Sequence, residues 1–211
     1  MKIFTHLLKQ LKTNLPIITV ATLVSFLVLG SVYVYHQLNG IPLKTLTSDV
    51  TAAADVPLYY GIQSQIGIFF WAAAAAICFL CGSTIKSPEW SFFMVSGFLS
   101  LFLGLDDIFL FHEVVFPSLG IHQKVVYLSY VVIFGVYVLK FYKLILQTEF
   151  ILLAMAFGCF GLSLLIDSFF HNAAPLYTQL IEDGAKFVGI VYWTIYFYST
   201  ATKTLKFQKI D

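Results

Sequence analysis

Ionisable residues gather in three short stretches of a chain that is otherwise strongly apolar, at positions 105–113, 167–171 and 182–186. The candidate site residues in these stretches are Asp106, Asp107, His112, Glu113, Asp167, His171, Glu182, Asp183 and Lys186. Carboxylates and imidazoles on facing helices are ligands for a divalent metal. A metal site with one open position activates a bound water, and a spare carboxylate beside it acts as a general base. These residue types therefore predict a metal-dependent hydrolase.

Each residue receives a role in this interpretation. The expected metal ligands are His112 and His171, with Asp167 or Asp107 as a third and Asp106 and Asp183 as further candidates. Glu113 or Glu182 is the expected base, and Lys186 stabilises a developing oxyanion or keeps a carboxylate ionised. Zinc is the metal we expect, with iron as the alternative, although the doubled Glu-x-x-His signature of di-iron bundles is absent.

Composition defines the class of protein. Hydrophobic residues make up 59% of the 211-residue chain and charged residues 11%, whereas soluble domains average about 25% charged residues. A water-soluble fold of this length cannot hide so much apolar surface, so the bilayer is the expected solvent. The net charge of +1 offers nucleic acid no basic surface and excludes it as a partner. Membrane lipid is the expected partner.

Six apolar runs predict an all-α polytopic bundle with six transmembrane helices in a single domain, 1–211. The runs are 15–35, 62–85, 90–116, 125–141, 150–170 and 180–199. Each is close to the roughly 20 residues that cross the hydrocarbon core. Before the first run, residues 1–13 read as an amphipathic cytoplasmic segment or as a basic flank. The one long connection, 37–60, is expected to face the exterior.

The lysines predict the orientation. With the N-terminus inside, nine lysines lie in inner segments and two in outer segments, which favours both termini in the cytoplasm. A bacterial inner (plasma) membrane is the expected location. Runs three and five then lead outward and run six leads inward, so the three ionisable stretches meet at the outer side. Because charge within a bilayer is costly, these side chains should face one another, a cavity or a bound ion.

Helical spacing predicts which side chains share a face. If the third run is one helix through 116, Asp106 and Glu113 lie on one face because they are seven residues apart. Glu182 and Lys186 are four apart and also share a face. For any one residue the alternative is a structural ion pair between helices.

Part of this pattern resembles a known superfamily. Asp167-Ser168-Phe169-Phe170-His171 is similar to the serine-to-histidine helix motif of alkaline ceramidases, and the Leu-Asp-Asp run at 105–107 is similar to their acidic motif. The resemblance implies a multipass hydrolase with zinc near one membrane face. Those enzymes have seven spans and paired histidines in the last, whereas the sixth run here has no histidine. The chain also resembles small bacterial multipass proteins with an Asp-Asp…His-Glu helix.

Three other functions compete with hydrolysis. One is a non-catalytic subunit of a larger membrane complex, in which the acidic cluster serves assembly or ion binding. Another is a haem-binding redox protein with His112 and His171 as axial ligands, which the nearby carboxylates disfavour. A cation pathway is disfavoured because the inner halves of the runs are almost wholly apolar. The C-x-x-C pair, Cys78 and Cys81, is expected to be packing rather than redox-active.

Overall fold

All regular structure that is described in the chain is helical. The computed structural model describes residues 2–57, 59–85, 89–170 and 175–207. The helices in these ranges are α1 Lys2–Asn39, α2 Leu43–Thr47, α3 Val50–Ala53, α4 Ile62–Thr84, α5 Trp90–Phe109, α6 Phe116–Ser118, α7 Gln123–Leu146, α8 Phe150–Phe170 and α9 Pro175–Phe207, with a π-helical turn at Phe111–Val115. The predicted all-α class is confirmed.

Five of the described helices are long and apolar enough to cross a membrane. The five segments are Lys12–Asn39, Ile62–Thr84, Trp90–Phe109, Gln123–Leu146 and Phe150–Ser168. A chain with this many apolar helices is a multipass helical membrane protein.

The sixth predicted span, 180–199, lies within the 33-residue helix α9. This helix is less apolar than the other five because it carries the ionisable stretch 182–186 and several Tyr and Thr residues. Protein rather than lipid surrounds one of its faces, where Trp193, Tyr196 and Phe197 are fully buried. Five apolar spans therefore stand where six were predicted, and a crossing by α9 stays a prediction.

The chain forms two compact units, Met1–Tyr60 and Gly61–Asp211. The first unit holds α1, α2 and α3. The predicted exterior loop 37–60 is shorter than expected, because α1 continues to Asn39 and two short helices follow it. Residues 2–13 form the beginning of α1 and are continuous with the apolar helix.

In the second unit, α9 packs along both α8 and α4, and α4 packs along α5. Trp193 lies at the centre of their core, 4.9 Å from the Phe197 ring and edge-on to Phe134 at 5.8 Å between ring centroids. Cys78 and Cys81 are unpaired and fully buried in the same core, as the packing interpretation requires. In contrast, α7 approaches α8 closely at few points, which leaves room between them.

The prediction of one continuous helix over 90–116 is wrong. Helix α5 ends at Phe109, and Leu110 adopts the left-handed conformation with φ 51° and ψ 46°. A non-glycine residue is uncommon in this region of the backbone map. The chain then enters the π-helical turn at Phe111–Val115. Residues after Leu110 therefore do not continue the faces of α5.

A glycine brings α9 close to α8. A Cβ atom at Gly189 would lie 2.6 Å from the Phe160 ring and 3.2 Å from the backbone oxygen of Ala156. No side chain larger than hydrogen fits there unless the Phe160 ring or one of the two helices moves. This contact fixes the position of α9 one turn after Lys186.

We expect Gly189→Ala to lower the free energy of unfolding by about 1–3 kcal/mol, because an added methyl group overpacks this contact. Gly158→Ala is the matched control on α8, since a Cβ atom at Gly158 meets nothing within 4 Å. The control should be neutral or stabilising by up to about 1 kcal/mol, the helix-propensity gain over glycine. Unfolding monitored by circular dichroism in detergent measures both, and equal effects of the two changes would contradict the packing account.

Candidate functional site

A cavity of about 290 Å³ lies within the second unit and has a polar half and an apolar half. The polar half is lined by Trp71, Asp106, Asp107, His112, Glu113, Tyr127, Tyr130, Ser163, Asp167, Glu182, Asp183 and Lys186. The apolar half is lined by Leu103, Val131, Phe134, Phe157, Phe160, Gly161 and Leu164. One cavity thus joins a charged cluster to an aromatic and aliphatic wall.

Helical periodicity gives the cavity its two halves. From α7, positions 127, 130, 131 and 134 line it, and from α8, positions 157, 160, 161, 163, 164 and 167. Residues three and four apart lie on the same face of a helix. On α7 the two tyrosines lie at one end of this face and Val131 and Phe134 follow. On α8 Asp167 lies at that end, Ser163 lies one turn further in, and the other lining residues are apolar. The amphipathic character of the cavity therefore follows from the sequence of two helical faces.

The structure brings together eight of the nine candidate residues. All of them except His171 line the cavity. His171 lies outside the described residues, so its predicted role as a ligand stays a prediction. The convergence of the three ionisable stretches follows because α5 and α8 end, and α9 begins, at the same end of the bundle.

Asp106 is the most enclosed carboxylate of the described cluster, with 3% of its surface exposed. Its Oδ1 accepts the backbone N–H of His112 at 3.0 Å and the Tyr130 hydroxyl at 3.1 Å. Its Oδ2 accepts the Nδ1–H of His112 at 2.6 Å. The turn at Leu110 is what folds His112 back onto Asp106. Together these donors replace the water that the carboxylate loses on burial.

His112 also faces Glu113, with 3.2 Å between Nε2 and the Glu113 Oε1. Both residues lie beyond the end of the apolar helix α5. Burial by itself lowers the pKa of His112, but hydrogen bonds to Asp106 and Glu113 outweigh it and raise the pKa to about 9. The same hydrogen bond holds the pKa of Glu113 below its ordinary value. At neutral pH the pair is therefore an imidazolium beside a carboxylate.

Asp107 anchors a second group of contacts. Its Oδ1 lies 2.6 Å from the Lys186 Nζ, and its Oδ2 accepts the indole N–H of Trp71 at 2.9 Å. The Trp71 ring stacks on Phe160 with 5.7 Å between centroids. Asp107 thus ties α5 to both α4 and α9.

The Asp167 carboxylate accepts a hydrogen bond from the Tyr127 hydroxyl at 2.7 Å. That hydroxyl in turn accepts a hydrogen bond from the Gln123 side-chain amide at 2.7 Å. The contact between Tyr127 and Asp167 links α7 to α8 at the polar end of the cavity. Further along the two helices the cavity is lined by apolar side chains, among them Phe134 and Phe157.

One of the two predicted face-sharing pairs is found and the other is not. Glu182 and Lys186 share a face of α9 and both line the cavity, where Lys186 also pairs with Asp107. Asp106 and Glu113 do not share a helical face, because the helix ends between them at Leu110. They reach opposite nitrogens of the same imidazole instead.

Sequence reasoning missed Trp71, Tyr127 and Tyr130. Aromatic residues are 18% of the chain, so none of these three stands out by type. Their spacing carries a signal, since Tyr127 and Tyr130 are three residues apart at the end of a span that faces the ionisable stretches. Hydroxyl groups on one face at the depth of buried carboxylates indicate hydrogen-bond donors to them.

Among the residues that the structure describes, no three or more His, Cys, Asp or Glu side chains are arranged to hold a metal ion. His112 lies between two carboxylates, with Nδ1 2.6 Å from Asp106 and Nε2 3.2 Å from Glu113, the predicted base. The other carboxylates that have hydrogen bonds here, Asp106, Asp107 and Asp167, are held by protein donors. Zinc or iron at this site stays a prediction.

The fold and the site together define a multipass helical membrane protein with an acidic, histidine-containing cavity at one end of its bundle. Residues 15–200 match the family described as a domain of unknown function, DUF8692, and the chain belongs to that family. No curated protein matches the chain, and no solved structure matches it.

We expect Asp107→Asn to lower the free energy of unfolding by about 2–3 kcal/mol, because it leaves the Lys186 ammonium without its counter-charge. The double change Asp107→Asn, Lys186→Met should recover part of that loss. Glu149→Gln is the matched control, since Glu149 pairs with Lys203 in an exposed position and should change stability by less than about 1 kcal/mol. Equal effects of Asp107→Asn and Glu149→Gln on detergent unfolding would contradict a buried ion pair.

The raised pKa of His112 predicts a dependence of stability on pH. A group whose pKa rises on folding stabilises fully below its unfolded pKa, about 6.5 here, and that contribution disappears as the pH rises through about 9. The stability difference between the wild type and His112→Gln should therefore shrink between about pH 6 and about pH 10. Thermal unfolding of both proteins across this range measures it. A difference that stays constant or grows with pH would show that His112 is not the protonated partner.

Proposed function

We propose that this chain is a membrane-embedded hydrolase that cleaves an ester or amide bond of a lipid. The observation that carries the proposal is the single cavity that joins an acid–base cluster to an apolar wall. A lipid has the same division, with a polar head and carbonyl next to a hydrocarbon chain. Ligand sites are concave and mostly apolar, with a small number of placed polar groups, which describes this cavity.

The polar half supplies an acid and a base for hydrolysis. Glu113 takes a proton from water as the water attacks the carbonyl carbon, and the scissile bond then breaks to release an alcohol or amine. His112, held by Asp106 through Nδ1, donates a proton to that leaving group from Nε2. The proton on Glu113 returns to His112 across the 3.2 Å between them. Protons balance, and water is the one co-reactant.

Lys186 and Trp71 act from the other side of the polar half. The Lys186 ammonium lies against Asp107 and also lines the cavity, so its charge is available to an oxyanion that develops on the carbonyl oxygen. Trp71 fixes Asp107 through its indole N–H. Asp107 thereby holds the lysine at one depth in the cavity.

A metal-dependent form of the same reaction remains a prediction. His112 would bind the ion through Nε2, with Asp106 as the outer carboxylate that orients the ring, an arrangement common in metal sites. A bound zinc would polarise the carbonyl and acidify its water. Chelation would then abolish activity, and elemental analysis of the purified protein would find the metal.

The test is release of fatty acid from ester- and amide-linked lipids by the protein in proteoliposomes. His112→Ala and Glu113→Gln should each lower the rate by roughly 100-fold or more, the usual contribution of general acid–base groups. Glu149→Gln is the control, because its carboxylate lies at the opposite end of α8 and α9, with Ser199 and Lys203.

Wild-type release no faster than that of Glu113→Gln, with equal lipid binding by both proteins, would reject hydrolysis. The cavity would then be a lipid-binding element, and stable co-purification with other chains would point to a subunit of a larger membrane complex.

A further inference from the structure

One wall of the cavity is interrupted by a glycine. Gly161 lies on the face of α8 that lines the cavity, between Phe160 and Leu164. A Cβ atom placed there would meet no heavy atom within 4 Å. Across the cavity lie Val131 and Phe134 of α7. The missing side chain therefore opens space within the aromatic part of the cavity.

Three other helical glycines of the same unit are small for a different reason, whereas Gly135, Gly158 and Gly184 have open space around them but do not line the cavity. A Cβ atom would lie 2.7 Å from the Phe79 ring at Gly97, 3.0 Å from the Trp71 Cβ at Gly104 and 2.6 Å from the Phe160 ring at Gly189. Helix packing demands glycine at those three positions. It makes no such demand at Gly161.

Backbone conformation does not demand glycine at Gly161 either. Its φ is not positive, unlike that of Gly40, Gly61 and Gly120. A glycine inside a helix costs about 0.5–1 kcal/mol relative to alanine. The one feature of the structure that uses the absent side chain is the open cavity.

The position of Gly161 along α8 indicates which part of a ligand would occupy the open space beside it. Gly161 lies six residues before Asp167 within the apolar span Phe150–Ser168, which is roughly 9 Å along the helix from the polar cluster. Its neighbours on the cavity wall are hydrocarbon and aromatic apart from the Ser163 hydroxyl. The whole cavity, about 290 Å³, lies just below the range of about 300–1,000 Å³ for ligand sites, and leaves room for one chain rather than two.

We propose that Gly161 is a specificity-determining residue that admits a single long, unbranched acyl chain into the apolar half of the cavity. The inference rests on the proposed function in taking a lipid as the ligand. The head and the carbonyl lie at the polar cluster, and the chain passes Gly161 between α7 and α8. A chain too short to reach Gly161 is insensitive to the side chain at this position.

The experiment compares Gly161→Leu with Gly158→Leu for binding of lysophosphatidylcholines that carry a palmitoyl or a hexanoyl chain. The protein is embedded in nanodiscs, and empty nanodiscs correct for partitioning of the lipid. Gly158 is a matched control because it lies on α8, is exposed and has no neighbour within 4 Å of a Cβ, yet does not line the cavity.

We expect Gly161→Leu to weaken palmitoyl binding by roughly 10-fold or more, the scale of a misfit in an apolar pocket. Hexanoyl binding should stay unchanged, and Gly158→Leu should bind both lipids as the wild type does. Gly161→Ala should give a smaller loss in the same direction, which keeps the test usable if the leucine variant does not fold. Unchanged palmitoyl binding by Gly161→Leu, or equal loss for both chains, would overturn the proposal.

The binding measurement needs no turnover, so it separates the two proposals. Chain-selective binding without hydrolysis would reject the hydrolase and keep the role of Gly161. Hydrolysis whose rate is the same for palmitoyl and hexanoyl substrates in the wild type and in Gly161→Leu would reject Gly161 alone.

Discussion

Burial of two consecutive carboxylates, Asp106 and Asp107, is the constraint on which the second unit depends. They are 3% and 9% exposed at the end of an apolar helix, where an unpaired charge would cost several kcal/mol. Four neighbouring elements each supply a donor to one of them. Asp106 takes donors from the turn after α5 and from α7, whereas Asp107 takes them from α4 and α9. The hydrogen bonds and the ion pair made by these two carboxylates therefore join four elements at one end of the bundle.

The same constraint accounts for the local backbone and for the cavity. The left-handed Leu110 and the π-helical turn are uncommon conformations, and they direct both the backbone N–H and the imidazole of His112 onto Asp106. Such departures from regular structure occur at functional sites. Tyrosine hydroxyls hold α7 to α5 and α8 at the polar end. The same two helices, α7 and α8, supply most of the apolar lining of the cavity.

Five of the spans and the meeting of the charged stretches were predictable from the sequence, because hydropathy marks the helices and successive helices alternate in direction. The partners within the cluster were not. No glycine, proline or asparagine at position 110 signals a left-handed conformation, because the residue there is a leucine. The helix break and the return of His112 to Asp106 were therefore not predictable. Trp71 is one aromatic residue among many, and nothing local links it to Asp107, which is 36 residues away. The sequence shows a glycine at position 161 but not its role. Only the structure shows that a Cβ atom there would meet no heavy atom within 4 Å, unlike the glycines at helix contacts.

The central claim is that the acidic cluster and the aromatic wall form one site for a lipid. Cross-linking with a fatty-acyl lipid that carries a photoreactive diazirine on its chain tests it most directly. The account predicts saturable labelling of the cavity-lining Phe134 and Leu164, which are half-buried, and excess unlabelled lipid should compete that labelling away. Labelling confined to the outward-facing Leu128 and Leu165, which are 62% and 55% exposed, and not reduced by competitor would show that lipid only surrounds the bundle.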